Sequence, residues 1–263
     1  MKKTSKITST IYILIVLTFL YIPIISIIVF SFNSIGNNMV FESLSFRWYI
    51  QLFTEDRYLR IIGTTLLISV ISTISSTIIG VLASLSISKQ RKIFRDIVLN
   101  VNSIPIMSPE IITAIALFIF FGAFSIPRGY TTLILAHIAF STPYVIINVY
   151  PKVMRLDPNL IDAAYDLGAT PVKVLFKVIL PQLKGAILAG MAIAFAMSFD
   201  DFVISLFTSG GIVQNISIYL WTFRGRTVPL TMNALSTIIL ICIGFKVVFD
   251  YTRSNKLTKK EGD

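Results

Sequence analysis

Three carboxylates stand where carboxylates are costly. Glu110 follows Ser108-Pro109 inside an apolar run, and Asp200 and Asp201 sit side by side between Ala194-Phe-Ala-Met-Ser-Phe199 and Phe202-Val-Ile-Ser-Leu-Phe207. At the centre of a membrane helix an acid costs at least about 2.5 kcal/mol on insertion scales, and it usually faces a cavity or a partner. Neighbouring carboxylates repel each other, and a cation between them removes the repulsion. No Lys or Arg occupies the middle of any apolar run. Glu110, Asp200 and Asp201 are therefore candidate substrate-pathway residues, suited to cations and unsuited to sulfate, phosphate or molybdate. A structural reading stands beside this one: Asp200 and Asp201 bonded to Ser198, Ser205 or a neighbouring helix, and Glu110 complementing the positive end of its own helix.

Other chemistry is thinly supplied. One cysteine (Cys242) and one histidine (His137) each lie in apolar runs, which argues against a disulfide framework, a cysteine metal cluster or a nucleophile–His pair. No Gly-x-x-x-x-Gly-Lys-Ser/Thr phosphate loop is present, so the chain is not its own conventional ATPase. Asp200 and Asp201 are expected on one helix, about 100° apart, and so do not form a protease dyad on two separate helices. The expectation is no catalytic residue, no metal and no cofactor in this chain.

The elements that must hold the acids are membrane helices. Of 263 residues, 55% are hydrophobic and 14% charged, with a mean hydropathy of +0.80. A span needs roughly 20 apolar residues, and six runs qualify, at about 10–32, 61–88, 97–123, 131–151, 185–208 and 229–251. This predicts an all-α polytopic membrane protein with one domain over 1–263 and a central loop at 152–184. The first run is too long for a signal h-region and lacks a small-x-small cleavage site. In the third, Ser108-Pro109-Glu110 predicts a helix that restarts within the membrane, with Ser108 as cap. Broken helices are tolerated there where they line a water-filled cavity.

The net charge of +10 is a matter of topology, not of nucleic acid. Lys2, Lys3, Lys6; Lys89, Arg91, Lys92, Arg95; Lys152, Arg155, Lys173, Lys177, Lys184; and Lys246, Arg253, Lys256, Lys259, Lys260 fall on one side and make up seventeen of the 23 basic residues. By the positive-inside rule both termini and the central loop are cytoplasmic. On the other side, Ser45 predicts the cap of a short aromatic helix with Phe46, Trp48, Tyr49, Leu52 and Phe53, suited to the headgroup level. The 209–228 loop, with Tyr219, Trp221, Phe223, Arg224 and Arg226, is a second outer surface.

The central loop carries the clearest punctuation. Asp157-Pro158 reads as N-cap and first helical residue, Gly168 as a left-handed C′ residue, and Thr170-Pro171 as a second cap and start. Pro181 disfavours the helical conformation at Leu180. Two short helices, about 158–167 and 171–180, are predicted at a sharp bend, with apolar faces Leu160, Ala164, Leu167 and Val172, Leu175, Phe176, Ile179. An interfacial loop with no partner is the plainer reading of the same features.

Asp162-Ala163-Ala164, Gly168, Val178, Leu180 and Pro181 resemble the EAA loop of ATP-binding-cassette importer permeases: Glu-Ala-Ala, three residues, Gly, nine residues, Ile, one residue, Leu-Pro. Asp162 replaces Glu and Val178 replaces Ile. The resemblance implies the type I importer permease fold (MetI-like) and a docking role for those seven residues on an ATPase subunit. It also implies two copies of that ATPase, which would bind ATP and Mg, a second permease, an extracytoplasmic substrate-binding protein and a bacterial plasma membrane. The 194–210 segment and Ser108-Pro109-Glu110-Ile111 resemble the spermidine/putrescine branch, which implies polyamine import by alternating access. Another small solute, or an ion-gradient-driven secondary carrier without an ATPase, are the alternatives.

Overall fold

The computed structural model describes residues 2–260, with side chains from Thr10 to Phe249 and at Tyr251 and Thr252. The side chains of Lys2, Lys3, Lys6, Arg253, Lys256, Lys259 and Lys260, which entered the charge count, lie outside the described residues. Helices account for nearly all regular structure: α1 (Lys2–Phe30), α2 (Arg47–Thr54), α3 (Asp56–Ser88), α4 (Lys92–Met107), α5 (Glu110–Ala123), α6 (Tyr130–Val153), α7 (Pro158–Asp166), α8 (Pro171–Val174), α9 (Leu180–Asp200), α10 (Val203–Thr208), α11 (Ile216–Trp221) and α12 (Leu230–Lys260). Among the described residues five helical segments are long and apolar enough to cross a membrane, and a sixth if the bent pair α4–α5 counts as one.

By contacts the chain forms two compact units, one of residues 1–60 with 223–263 and one of residues 61–222. In the first, Asn33 organises the segment between α1 and α2. Its Nδ2 donates to the carbonyls of Asn37 (2.8 Å) and Val40 (2.7 Å), its Oδ1 accepts from Glu42 N–H (3.0 Å), and its own carbonyl accepts from Trp48 Nε1 (2.6 Å). The short aromatic helix thus exists, but Trp48 and Tyr49 are turned inward, Tyr49 hydroxyl lying 2.7 Å from Ser31 Oγ. Ser45 is not the cap of α2: Phe46 holds the N-cap position with no side-chain cap bond, and Ser45, one residue earlier, accepts through Oγ from Arg47 N–H at 3.2 Å.

The second unit is built around α6. Leu133, Ala136, His137, Phe140, Val145 and Val149 are all buried, a helical repeat wide enough to be covered by neighbours on more than one side. Val145, Val149 and Val153 pack with Val81 of α3 and Leu183 and Ala194 of α9, while Ala136 and Phe140 pack with Ala114, Phe121 and Ile204. Close approach is secured by two glycines facing one valine. A Cβ at Gly80 would lie 2.6 Å from Val145 Cγ1, and one at Gly190 would lie 3.2 Å from Val145 Cα. Small residues at such crossings let membrane helices touch without a hydrophobic driving force.

A prediction follows from which atom is hit. Gly80→Ala forces Val145 aside and should destabilise the solubilised protein by about 1–3 kcal/mol, the usual range for overpacking. Val145→Ala removes the Cγ1 contact but leaves Val145 Cβ 2.7 Å from the new methyl, so it should restore the melting temperature of Gly80→Ala only in part. It should not restore Gly190→Ala, where the obstruction is backbone. Equal rescue of both would show that the two contacts are not as described.

The spans depart from the sequence expectation in three places. The third breaks before Glu110 as expected, with α4 and α5 meeting at 107°, but it begins at Lys92 and not at 97. Ser108 does not cap α5; its Oγ donates to the carbonyl of Ile104 at 2.7 Å, closing the end of α4. The fifth does not run over 185–208: α9 stops at Asp200, Asp201 takes extended backbone (φ −62°, ψ 128°), and α10 starts afresh at Val203. Asp200 and Asp201 therefore do not share a helix.

The third departure concerns Pro181. It does not end a helix at 180. Residues Leu175–Ile179 form a π turn between α8 and α9, with Leu180 N–H donating to the carbonyl of Leu175, so Pro171–Asp200 is one helical segment of 30 residues. A proline within a helix lacks an N–H and its ring clashes with the carbonyl four residues back. The wider i→i+5 turn absorbs both defects.

Candidate functional site

The bend between α6 and α9 is capped as the residues dictate. Asp157 Oδ1 accepts from Asn159 N–H at 3.0 Å, and Thr170 Oγ1 from Lys173 N–H at 3.4 Å. At the end of α7, Gly168 N–H donates to Tyr165 carbonyl (2.8 Å) and Ala169 N–H to Ala164 carbonyl (3.1 Å), the paired bonds of a Schellman ending. Gly168 has φ +77°, the left-handed region that favours glycine.

This elbow shows apolar side chains to open space. Leu167 is 89% exposed, and Leu160, Val172 and Phe176 are exposed too. The second expected stripe splits: Val174, not part of it, is buried, and Leu175 and Ile179 are half-buried. Asp162 and Ala163 are exposed and Ala164 is half-buried. Val178 lies in the π turn, Leu180 packs on the α6 cluster, and Pro181 is exposed. So the first residues of the pattern form the outer surface of the bend, and the last ones join it to the core.

The acids lie at the two helix breaks. Glu110 opens α5 and lines a cavity of about 170 Å³ with Pro105, Ser108, Thr113, Phe140, Tyr144, Met197 and Ile204. Asp200, the last residue of α9, is exposed. Asp201 is only 4% exposed, and its oxygens are occupied. Oδ1 accepts from Ile204 N–H (3.2 Å), Oδ2 from Ser205 N–H (2.6 Å), and His137 Nε2 lies 3.4 Å from Oδ2. Asp201 thus caps α10. Ile204, whose N–H bonds to Asp201, lines the same cavity as Glu110; Glu110 and Asp200 are exposed and Asp201 is enclosed.

Asp201 fits the structural reading, bonded at Ser205 and beside a residue of a neighbouring helix, but the parts of His137 and Asn215 and the burial of Tyr219 went unread in the sequence. His137 joins Ser198, Ser205 and Asp201, and Asn215 donates from Nδ2 to Ser205 Oγ (2.9 Å) while its Oδ1 caps α11 at Ile218 N–H (2.8 Å). Tyr219, taken as part of an outer surface, is 1% exposed. A signal for the first did exist: Ser198, Asp201 and Ser205 are spaced i, i+3, i+7, one helical face.

Residues 76–252 match the family of binding-protein-dependent transport system inner membrane components. The chain belongs to that family. Among its relatives, the permease is 32% identical over 244 residues to the spermidine/putrescine transport system permease protein PotC of Shigella flexneri, covering 93% of this chain and 92% of the relative. It is 33% identical over 235 residues to the putrescine transport system permease protein PotI of Escherichia coli K12, covering 86% and 83%. Its fold matches that of a bacterial ABC transporter involved in the import of the acidic polysaccharide alginate, with TM-score 0.71 at 15% identity, over 97% of this chain and 96% of that one. The permease is therefore a transport subunit with the ABC importer permease fold, and not an enzyme.

Proposed function

We propose that this permease moves polyamines inward across the plasma membrane as one subunit of an ATP-driven importer. Glu110 carries the reading: a carboxylate at a helix break, in a cavity whose other lining groups include the rings of Phe140 and Tyr144 and no basic residue. A carboxylate attracts an ammonium, aromatic faces add cation–π attraction, and Met197 and Ile204 suit methylene segments. The names of the PotC and PotI relatives point to the same substrates.

The rest of the assembly follows the family pattern. The assembly has two copies of an ATPase, carrying ATP and Mg, and the apolar elbow at 158–180 docks on an ATPase subunit. A second permease completes the pathway, and an extracytoplasmic binding protein delivers substrate. Both termini and the elbow face the cytoplasm, as the distribution of Lys and Arg favours. ATP-driven closure of the ATPase pair pushes on the elbow and alternates access to the cavity.

The test is uptake by the complete complex in proteoliposomes. ATP-dependent accumulation of labelled putrescine or spermidine, but not of a neutral sugar or an anionic one, is expected. Accumulation of neither polyamine under conditions that move another solute would overturn the substrate assignment. Uptake driven by an ion gradient without the ATPase would overturn the mechanism.

A further inference from the structure

A groove of about 500 Å³ lies on the flank of the second unit, between α3 and the stretch that joins the π turn to α9. Leu82 and Leu85 of α3 form one wall, and Leu175, Phe176, Leu180 and Ile187 form the other. Of its described lining residues only Thr77 is polar. From Thr77 to Leu85 the groove runs about 12 Å at 1.5 Å per residue, and it is open along its side, where Leu82 and Phe176 are exposed. Each wall carries a lysine. Leu180, Lys184 and Ile187 are spaced i, i+4, i+7, one face of α9, and side chains on a helix tilt toward its N-terminus, which on α9 is the elbow end. Lys89 lies four residues beyond Leu85, and a further turn carries the chain past α3, Lys89 N–H donating to Ser86 carbonyl at 3.2 Å. Both lysines are exposed. No Asp or Glu occurs in 77–92 or in 167–187.

We propose that this groove binds an anionic phospholipid, one acyl chain along the apolar walls and the phosphate at Lys89 and Lys184, and that the chain braces the foot of the elbow. The apolar walls alone would suit a helix of another subunit. Two lysines beside them, in segments without a carboxylate, suit an acyl chain that ends in a phosphate. Basic side chains next to a membrane span attract anionic headgroups, and a lysine stem reaches from apolar surroundings to the headgroup level. A zwitterionic lipid offers the same chain, but its own ammonium offsets the phosphate. The bound chain rests on Leu175 and Phe176, two residues of the π turn that leads into Pro181. It therefore stiffens the joint between the elbow and the span.

The experiment uses the complete transporter with Phe176→Trp, a ring for a ring at the edge of the groove, in vesicles of phosphatidylcholine and phosphatidylglycerol. Bromine is carried on the acyl chains of one lipid or the other, and quenching of the new indole is read against the parent complex. Judged by the mole fraction for half-maximal quenching, phosphatidylglycerol should compete about tenfold better than phosphatidylcholine, the scale set by two lysines beside an anionic headgroup. Lys89→Gln with Lys184→Gln should bring the two lipids level. Equal quenching in the parent background, or a preference that survives the loss of both lysines, overturns the proposal. So does quenching by neither lipid, the result expected if a protein helix covers the groove. If Phe176→Trp does not assemble, Leu82→Trp on the opposite wall carries the same comparison. The bracing rests on the ATP-driven reading of the assembly and has its own readout. Phosphatidylglycerol should raise ATP hydrolysis by the parent complex and leave the double lysine variant unaffected; equal rates in both lipids for the parent overturn the bracing alone. No hydrolysis in any lipid would sink the ATP-driven reading and not the lipid site.

Discussion

Gly168→Pro should abolish ATP-driven uptake and copurification of the ATPase, while the permease itself melts at the parent temperature. Gly168 sits at φ +77°, and proline is locked near −65°. No atom lies within 4 Å of a Cβ built at Gly168, so the effect is conformational and not steric. That predicts a graded series. Asn, which tolerates the left-handed region, should retain most activity. Val should lose roughly tenfold, the equivalent of the 1–2 kcal/mol that this conformation costs an L-residue with a side chain. Pro should lose all measurable coupling. Leu167→Asp should also lose the ATPase, since it puts a charge on the most exposed apolar residue of the elbow. Normal copurification of the Gly168→Pro variant would remove the elbow from the docking surface.

Neutralising the open acids should raise the KM for polyamine uptake. A hydrogen bond to a charged group is worth about 1.5–3 kcal/mol, so Glu110→Gln and Asp200→Asn are each expected to raise KM by roughly ten- to a hundredfold with the ATPase still bound. Asp201→Asn should behave differently. Asparagine keeps only one of the two acceptor oxygens that Asp201 uses, so part of the α10 cap is lost at some cost in stability, while KM should change little because the group is enclosed. Asp201→Ala removes the cap and leaves a buried imidazole short of a partner. Its expected signature is lower thermal stability, by about 1–3 kcal/mol, and not a selective rise in KM. If Asp201→Asn and Asp200→Asn have equal effects on KM, the division of the acids into open and enclosed is wrong.

What the sequence shows plainly is what local rules govern. Asp157-Pro158, Gly168 and Thr170-Pro171 each dictate a cap or a stop without help from distant residues, and the elbow has those ends. The helix break before Glu110 follows in the same way from Pro109, which favours extended backbone at Ser108, while α4 runs on through Pro105. The breaks and continuities that went unread depend on contacts far along the chain. Pro181 is a stop by local preference, yet a π turn lets the helix pass through it, because Ile179 and Leu180 are held on the α6 cluster. No Gly or Pro marks the break at Asp201. It exists because the carboxylate is better satisfied capping α10 with His137 beside it than lying along a helix flank. His137 is 61 residues from one of its partners and 68 from another, a distance over which sequence pattern carries no register.

The unbroken 30-residue segment Pro171–Asp200 has a mechanical consequence. At 1.5 Å per residue it is a rod of about 45 Å, with the elbow at one end and Asp200 at the other. Gly190 rests against the backbone of Val145 at about two thirds of its length, and that contact is a natural fulcrum. A rocking of about 5° there would carry the elbow end about 2.5 Å one way and the acid end about 1.3 Å the other. The protein would need no relay of side chains to tell the cavity that nucleotide has bound: a beam of unequal arms would deliver a shorter, reversed stroke.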